Sequence, residues 1–278
     1  MTTAYWGRGI VGLITFALLA LAMSGPALSE EAPTVPGITV VERLAALQAS
    51  VADHKRAKDG DALKSDIKLI VVLHGDAAQV AKVRKECVKL LGGLTRGRGI
   101  CVTVRVAALE GIGSTGDQQG ARYITSQLRR MRPGTTTTTP LRTAVCVSSN
   151  LCSAEFVDPL LKIVTESKDY TLAAKALEAL GHFRECKRKR VKILKTVIKS
   201  ISKDRPGAKG RSKDPVPNDQ YRHTGELARN RWAALARVLP AALSRLTGME
   251  MQGADADWWI EFVRDNKGRL GALFVDEE

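Results

Sequence analysis

The segment Ala108-Leu109-Glu110-Gly111-Ile112-Gly113 returns 68 residues later as Ala176-Leu177-Glu178-Ala179-Leu180-Gly181. A weaker copy stands between them, where Leu141-Arg142-Thr143-Ala144-Val145 corresponds to Val104-Arg105-Val106-Ala107-Ala108. The steps are 37 and 31 residues, the range in which a chain repeats one supersecondary unit. A fourth, diverged copy is Trp232-Ala233-Ala234-Leu235-Ala236-Arg237-Val238-Leu239. Each copy reads as a helix of small residues, a turn, and then a helix of larger apolar residues. The second helices carry Tyr123-Ile124 with Gln127-Leu128, and Phe156-Val157 with Leu160-Leu161 and Ile163-Val164. Alanines on one helix let its neighbour approach, and aliphatic side chains fill the seam. One hairpin cannot bury both of its apolar faces, so the pattern predicts an all-α stack of antiparallel helical hairpins. Gly113 and Gly181 are expected to end their helices in the left-handed conformation.

Residues 104–128 and 172–183 resemble HEAT repeats, in which an Arg or small polar residue precedes an Ala-Leu-x-x-Leu-Gly close. The resemblance covers 77–203. The copy at 141–150 lacks the Leu-Gly close, and the spacing is irregular. The resemblance implies a right-handed superhelical α-solenoid (HEAT-like, armadillo-like). The C-terminal part adds to it. Ala242-Leu243-Ser244-Arg245-Leu246-Thr247-Gly248, followed by Trp258-Trp259, Phe262-Val263 and Asn266-Lys267, is similar to the tail of exported bacterial HEAT-repeat proteins. Trp259 and Phe262 lie one helical step apart and are expected to cover the open end of the stack.

Ahead of the repeats, Pro33 and Pro36-Gly37 suggest an extended leader. Val41, Leu44, Leu47 and Val51 then recur at helical steps, and Asp59-Gly60-Asp61 ends that helix. Residues 62–73 form a second apolar stretch; its Ile70-Val71-Val72-Leu73 reads as a strand alone and as a helix in this neighbourhood. The expected organisation is leader and capping helices over 30–76, HEAT-like repeats over 77–203, a flexible basic linker over 204–219, and a diverged repeat with a Trp-rich cap over 220–278. Residues 132–140, with five threonines between Pro133-Gly134 and Pro140, read as a loop between hairpins, either bare or carrying O-linked sugar.

The first 29 residues do not belong to this core. Arg8 is their only charge, the run from Ile10 to Met23 has none, and Gly25-Pro26 precedes Ala27-Leu28-Ser29, with small residues at the first and third of these positions. That is the layout of a signal peptide cleaved after about Ser29, which implies an exported protein, periplasmic or extracellular. The alternative is an uncleaved anchor, but the run is shorter than the ~20 residues that cross a bilayer. No second run of that kind follows, so no membrane span is expected after cleavage.

The formal net charge is +14, and +11 of it falls between Arg184 and Lys213, thirteen Lys or Arg against Glu185 and Asp204. Residues 184 to about 203 read as a basic helix; at about 100° per residue, Arg188, Lys192, Lys195, Lys199 and Lys203 share one arc of about 80°. Val191, Leu194, Val197, Ile198 and Ile201 occupy another. One face is built for the core, and the other is a ladder of cations that Arg205, Lys209, Arg211 and Lys213 extend. Such a ladder either follows a row of anionic groups with salt-dependent affinity or is a solvated outer face.

Five cysteines cannot all pair within an exported chain. Cys87 and Cys101 lie symmetrically about Leu94 in a Gly-rich stretch, 92–97, that reads as the turn between two antiparallel helices, and Cys146 and Cys152 lie symmetrically about Ser149. Two bridges within hairpins are expected, with Cys186 left over; alternatively all five are small buried hydrophobes. No spacing fits a zinc signature, so no metal or cofactor is expected. His54, His74, His182 and His223 match no H-E-x-x-H pattern, and neither G-x-S-x-G nor a phosphate loop is present. His182 is expected to bind free carbonyls at a helix end. The expected role is therefore binding without catalysis: a protein–protein module or scaffold in the cell envelope, with another protein, acidic or not, as partner. The alternative is a polyanion-binding protein (envelope glycan, anionic lipid or nucleic acid) acting through 184–213.

Overall fold

A computed structural model describes residues 39–77, 80–130, 137–206, 219–249 and 254–273. The expected signal peptide, its cleavage point and the leader at 33–37 lie outside the described residues. So do 132–136 of the threonine-rich loop, 207–218 of the linker, and the side chains of Arg188 and of 219–225. The described elements are all helical, and no strand occurs among the described residues.

The first helix, α1 (Val40–Ala57), starts in a capping box in which Thr39 and Glu42 each accept from the other's backbone N–H, satisfying donors a free helix end leaves open. It stops at Lys58, whose φ of 56° is left-handed. One residue later Asp59 caps α2 (Gly60–Asp76) by accepting from the Asp61 and Ala62 N–H groups. The cap at Asp59 and the burial of Leu63, Ile67, Ile70 and Leu73 at helical steps make the apolar stretch a helix rather than a strand. There follow α3 (Ala81–Arg96), α4 (Val102–Thr115), α5 (Ala121–Leu128), α6 (Thr139–Leu151), α7 (Val157–Glu166), α8 (Tyr170–Leu180) and α9 (Lys187–Asp204). The chain closes with α10 (Asp219–Thr247), α11 (Ala256–Asp265) and α12 (Leu270–Leu273).

The helices pack in two series. The even ones run α2 on α4, α4 on α6, α6 on α8 and α8 on α10; the odd ones include α1 on α3, α5 on α7, α7 on α9 and α9 on α11. Each of the first five odd helices also packs along the even helix that follows it. Hairpin membership therefore differs from expectation: of their two neighbours in sequence, the small-residue helices α4, α6 and α8 pack along the helix before them and not along the one after. The small residues explain it. A Cβ on Gly111 would sit 3.2–3.4 Å from Val71, Ile67 and Leu91, and one on Gly113 would lie 2.3 Å from Val147. Small side chains thus let α4 close on α2 and α3 on one side and on α6 on the other. A single apolar cluster runs from Leu44 in α1 to Leu270 in α12.

Two glycine expectations fail for the same reason. Gly113 lies inside α4, which ends instead at left-handed Gly116, φ 63°. Gly181 does cap α8, but with right-handed φ of −60°. A Cβ there would stand 2.8 Å from the Ala242 carbonyl oxygen of α10. Both positions need close approach rather than a special backbone angle. Likewise Gly92 and Gly93 are not a turn; α3 continues through them to Arg96, and the Tyr123 ring sits where a Gly92 Cβ would be. The threonine-rich loop is shorter than expected, because Thr139 and Pro140 open α6, where a missing proline N–H costs no helix bond.

The aromatic tail folds onto the last long helices. α11 packs on α9 and α10; Trp259 is fully buried, edge-on to Trp258 and Phe262, while Trp258 stacks on Phe262 at 4.9 Å.

Candidate binding surface

The basic stretch becomes α9, which begins at Lys187 rather than Arg184; residues 184–186 form the turn before it. Ile193, Leu194, Val197, Ile198 and Ile201 are buried, and Val191 is half-buried. Lys192, Lys195, Lys199 and Lys203 are exposed. Arg188 lies in the helix, but its side chain is outside the described residues. A rise of 1.5 Å per residue spreads Lys192 to Lys203 over about 16 Å.

The lysines are not equivalent. Lys192 Nζ donates to the Asp158 carboxylate of α7 at 2.6 Å, and Lys189 reaches the same carboxylate at 3.6 Å. The Lys192 hydrogen bond, aided by Lys189 against partial burial, holds the Asp158 carboxyl below the usual carboxylate range. Lys195, Lys199 and Lys203 have no ion-pair partner among the described residues. Arg205, expected to extend the ladder, is bound to Asp257 of α11 at 2.8 Å; Lys209, Arg211 and Lys213 lie outside the described residues.

Beside the N-terminal end of α9 lies a cleft of about 520 Å³, where the odd helices α5, α7 and α9 come together. Arg129, Lys162 and Lys189 line it together with Glu155 and Asp158. Its charges are mixed, unlike those of the lysine row.

The structure joins neither expected cysteine pair; all five thiols are free. Cys87 is buried inside α3, nine residues before the helix ends, whereas Cys101 directly precedes α4. The turn is centred past Gly97 and not on Leu94, so the two do not face each other. Cys146 and Cys152 lie along one helix and its cap, since α6 runs through Ser148, Ser149 and Asn150; six helical positions separate them by about 9 Å along the axis. The fold brings Cys152 to Cys186 instead, with the Cys186 sulfur 3.9 Å from the Cys152 carbonyl oxygen.

Two histidine clusters were not foreseen. His54 Nδ1 lies 2.7 Å from Asp66, which also accepts from Ser50 Oγ at 2.8 Å. His74 Nε2 lies 3.4 Å from Asp117, with Arg84 at 3.5 Å from the same oxygen. In the first cluster the carboxylate is the shared acceptor, so the serine donates to Asp66, an arrangement that ties α1 to α2 rather than one that activates a nucleophile. The i,i+4 spacing of Ser50 and His54 was the available signal. His182 meets Arg245 Nη1 at 2.9 Å rather than capping carbonyls; burial, with this neighbouring charge, pushes its imidazole below the ordinary range.

Among the described residues there is no group of three or more His, Cys, Asp or Glu able to hold a metal ion. No described helix is long and apolar enough to cross a membrane. No family model, no curated protein and no solved structure matches the chain.

Proposed function

We propose that this chain is an exported binding module, a HEAT-like right-handed α-solenoid that holds a protein partner in the cell envelope on the face formed by its odd-numbered helices. The observation that carries this reading is the cleft shared by α5, α7 and α9. Its mixed lining, Arg129, Lys162 and Lys189 beside Glu155 and Asp158, suits a protein surface bearing both signs and disfavours a uniformly charged polymer. The two packing series support the solenoid reading, because hairpins that touch only near neighbours in sequence are how such arrays bury their faces. On the same reading α11 closes the open end, with Trp259 as its buried anchor.

A second reading has its own observation. Lys195, Lys199 and Lys203 form an exposed row with no ion-pair partner among the described residues, and a polyanion bound there would gain charge contacts without breaking internal ones.

Capture of partners from envelope extract by the chain from residue 30 onward, at low and then high salt, tests both. A partner retained at high salt and lost with Arg129→Glu plus Lys162→Glu supports the protein-binding module. Release by salt, together with loss in Lys195→Glu/Lys199→Glu/Lys203→Glu but not in the cleft variant, supports the polyanion reading. Binding that neither variant changes removes both.

A further inference from the structure

Cys152 ends α6 in the left-handed conformation, φ 44°. Its Sγ donates to the Ser149 carbonyl at 2.9 Å and approaches the His182 carbonyl oxygen at 3.4 Å. Cys186 ends the turn that begins at Gly181, and its Sγ points back at the Cys152 carbonyl oxygen. Each sulfur therefore touches the backbone of the other's turn. A second contact locks the two turns together: Phe156, just after Cys152, meets Phe183, just before Cys186, edge to face at 6.4 Å, and both rings are fully buried. Cys186 stands at the N-cap of α9 but makes no side-chain cap bond, so its sulfur can turn without opening the helix.

We infer that Cys152 and Cys186 form a disulfide when the protein meets a small-molecule disulfide oxidant of the oxidised-glutathione class, stapling the α6–α7 turn to the turn that precedes α9. One thiolate attacks the oxidant's disulfide and releases one thiolate from it, leaving a mixed disulfide on the protein. The second cysteine then attacks the protein-side sulfur and expels the other half. The two cysteines lose two protons and two electrons, and the oxidant is reduced to two thiols. The bridge closes a loop containing α7 and α8, restricting the unfolded chain. Burial chiefly, and for Cys152 also the neighbouring Cys186 sulfur, hold both thiols above their ordinary range. Exchange is accordingly slow at neutral pH and quickens as the pH rises. The inference is independent of the partner reading and of export, since only the oxidant is required.

Incubating the full chain with oxidised glutathione at about pH 8.5 tests it by thiol counting, peptide mapping and thermal melting. The expected result is a fall from five free thiols to three, a linked peptide pair containing Cys152 and Cys186, and a rise in Tm of roughly 5–10 °C reversed by reductant. Cys146→Ser keeps the bridge and the rise, whereas Cys186→Ser abolishes both while leaving the helical circular dichroism unchanged. A bridge through Cys87, Cys101 or Cys146 overturns the inference. So do glutathione adducts that persist on Cys152 and Cys186, or five thiols that stay free throughout.

Discussion

His54 and Asp66 stand six places on either side of Gly60 and meet at 2.7 Å across the α1–α2 turn. Asp66 is only 2% exposed, and with the hydroxyl of Ser50 also donating to it, this carboxylate is the polar clasp of the first hairpin.

Replacing Asp66 with Ala removes the acceptor shared by His54 and Ser50 and leaves two donors without it. A loss of roughly 2–3 kcal/mol is expected, measured by urea unfolding. Asp66→Asn keeps one acceptor oxygen and is expected to lose less. Equal loss in both variants would show that the carboxylate's charge matters more than its hydrogen bonds.

Asp117 governs a pH dependence. Burial opposes its ionisation, but the Gln119 N–H, His74 and Arg84 outweigh this and hold its carboxyl below the usual carboxylate range. The unfolded chain thus binds the proton more readily than the folded one. The stabilisation is present above the unfolded value near pH 4 and is lost as pH falls through the lower folded value. Melting between about pH 6 and pH 2 should therefore show a shallower acid loss for Asp117→Asn than for the native protein.

Gly92 and Gly93 are adjacent in α3, yet they should respond oppositely to alanine. A Cβ on Gly92 would lie 2.1 Å from the Tyr123 ring, which Arg96 and Arg122 flank at 5.0 and 4.7 Å. Gly92→Ala should cost roughly 1–3 kcal/mol through overpacking. Around Gly93 nothing stands within 4 Å, so Gly93→Ala should gain up to about 1 kcal/mol from helix propensity. Thermal melting of the two variants side by side decides it.

The thiols should separate by reactivity. Burial pushes Cys87 up to about 11, whereas Cys101 is exposed and is held below the ordinary range, first by the Thr103 hydroxyl and then by the Val104 N–H. Iodoacetamide at about pH 8 should label Cys101 first and Cys87 more than roughly 100-fold more slowly. Comparable rates in the folded protein would mean that α3 opens readily.

Several features were legible along the chain. The i, i+3, i+4 recurrences located helices because residues at those spacings share a face whatever lies opposite. The small residues of 104–113 and 172–181 marked the helices that approach one another most closely. The division of α9 into a buried arc with Leu194, Val197, Ile198 and Ile201 and an exposed arc with Lys192, Lys195, Lys199 and Lys203 was legible for the same reason.

Helix ends and partners were not legible. A glycine required for close approach, such as Gly92, Gly113 or Gly181, looks in sequence like one that ends a helix, and only the opposing Tyr123, Val147 or Ala242 tells them apart. Mistaking Gly92 and Gly93 for a turn displaced the α3–α4 hairpin centre, and with it the expected Cys87–Cys101 pair. Sequence by itself determined where helices form and which face of each is apolar, because both depend on residues a few positions apart. Tertiary structure alone decided which helix each small-residue face meets, that Cys152 lies against Cys186, and that Asp158 engages Lys189 and Lys192 while the lysines beyond them face solvent. Those outcomes depend on contacts between residues some thirty or more positions apart, which local periodicity does not encode.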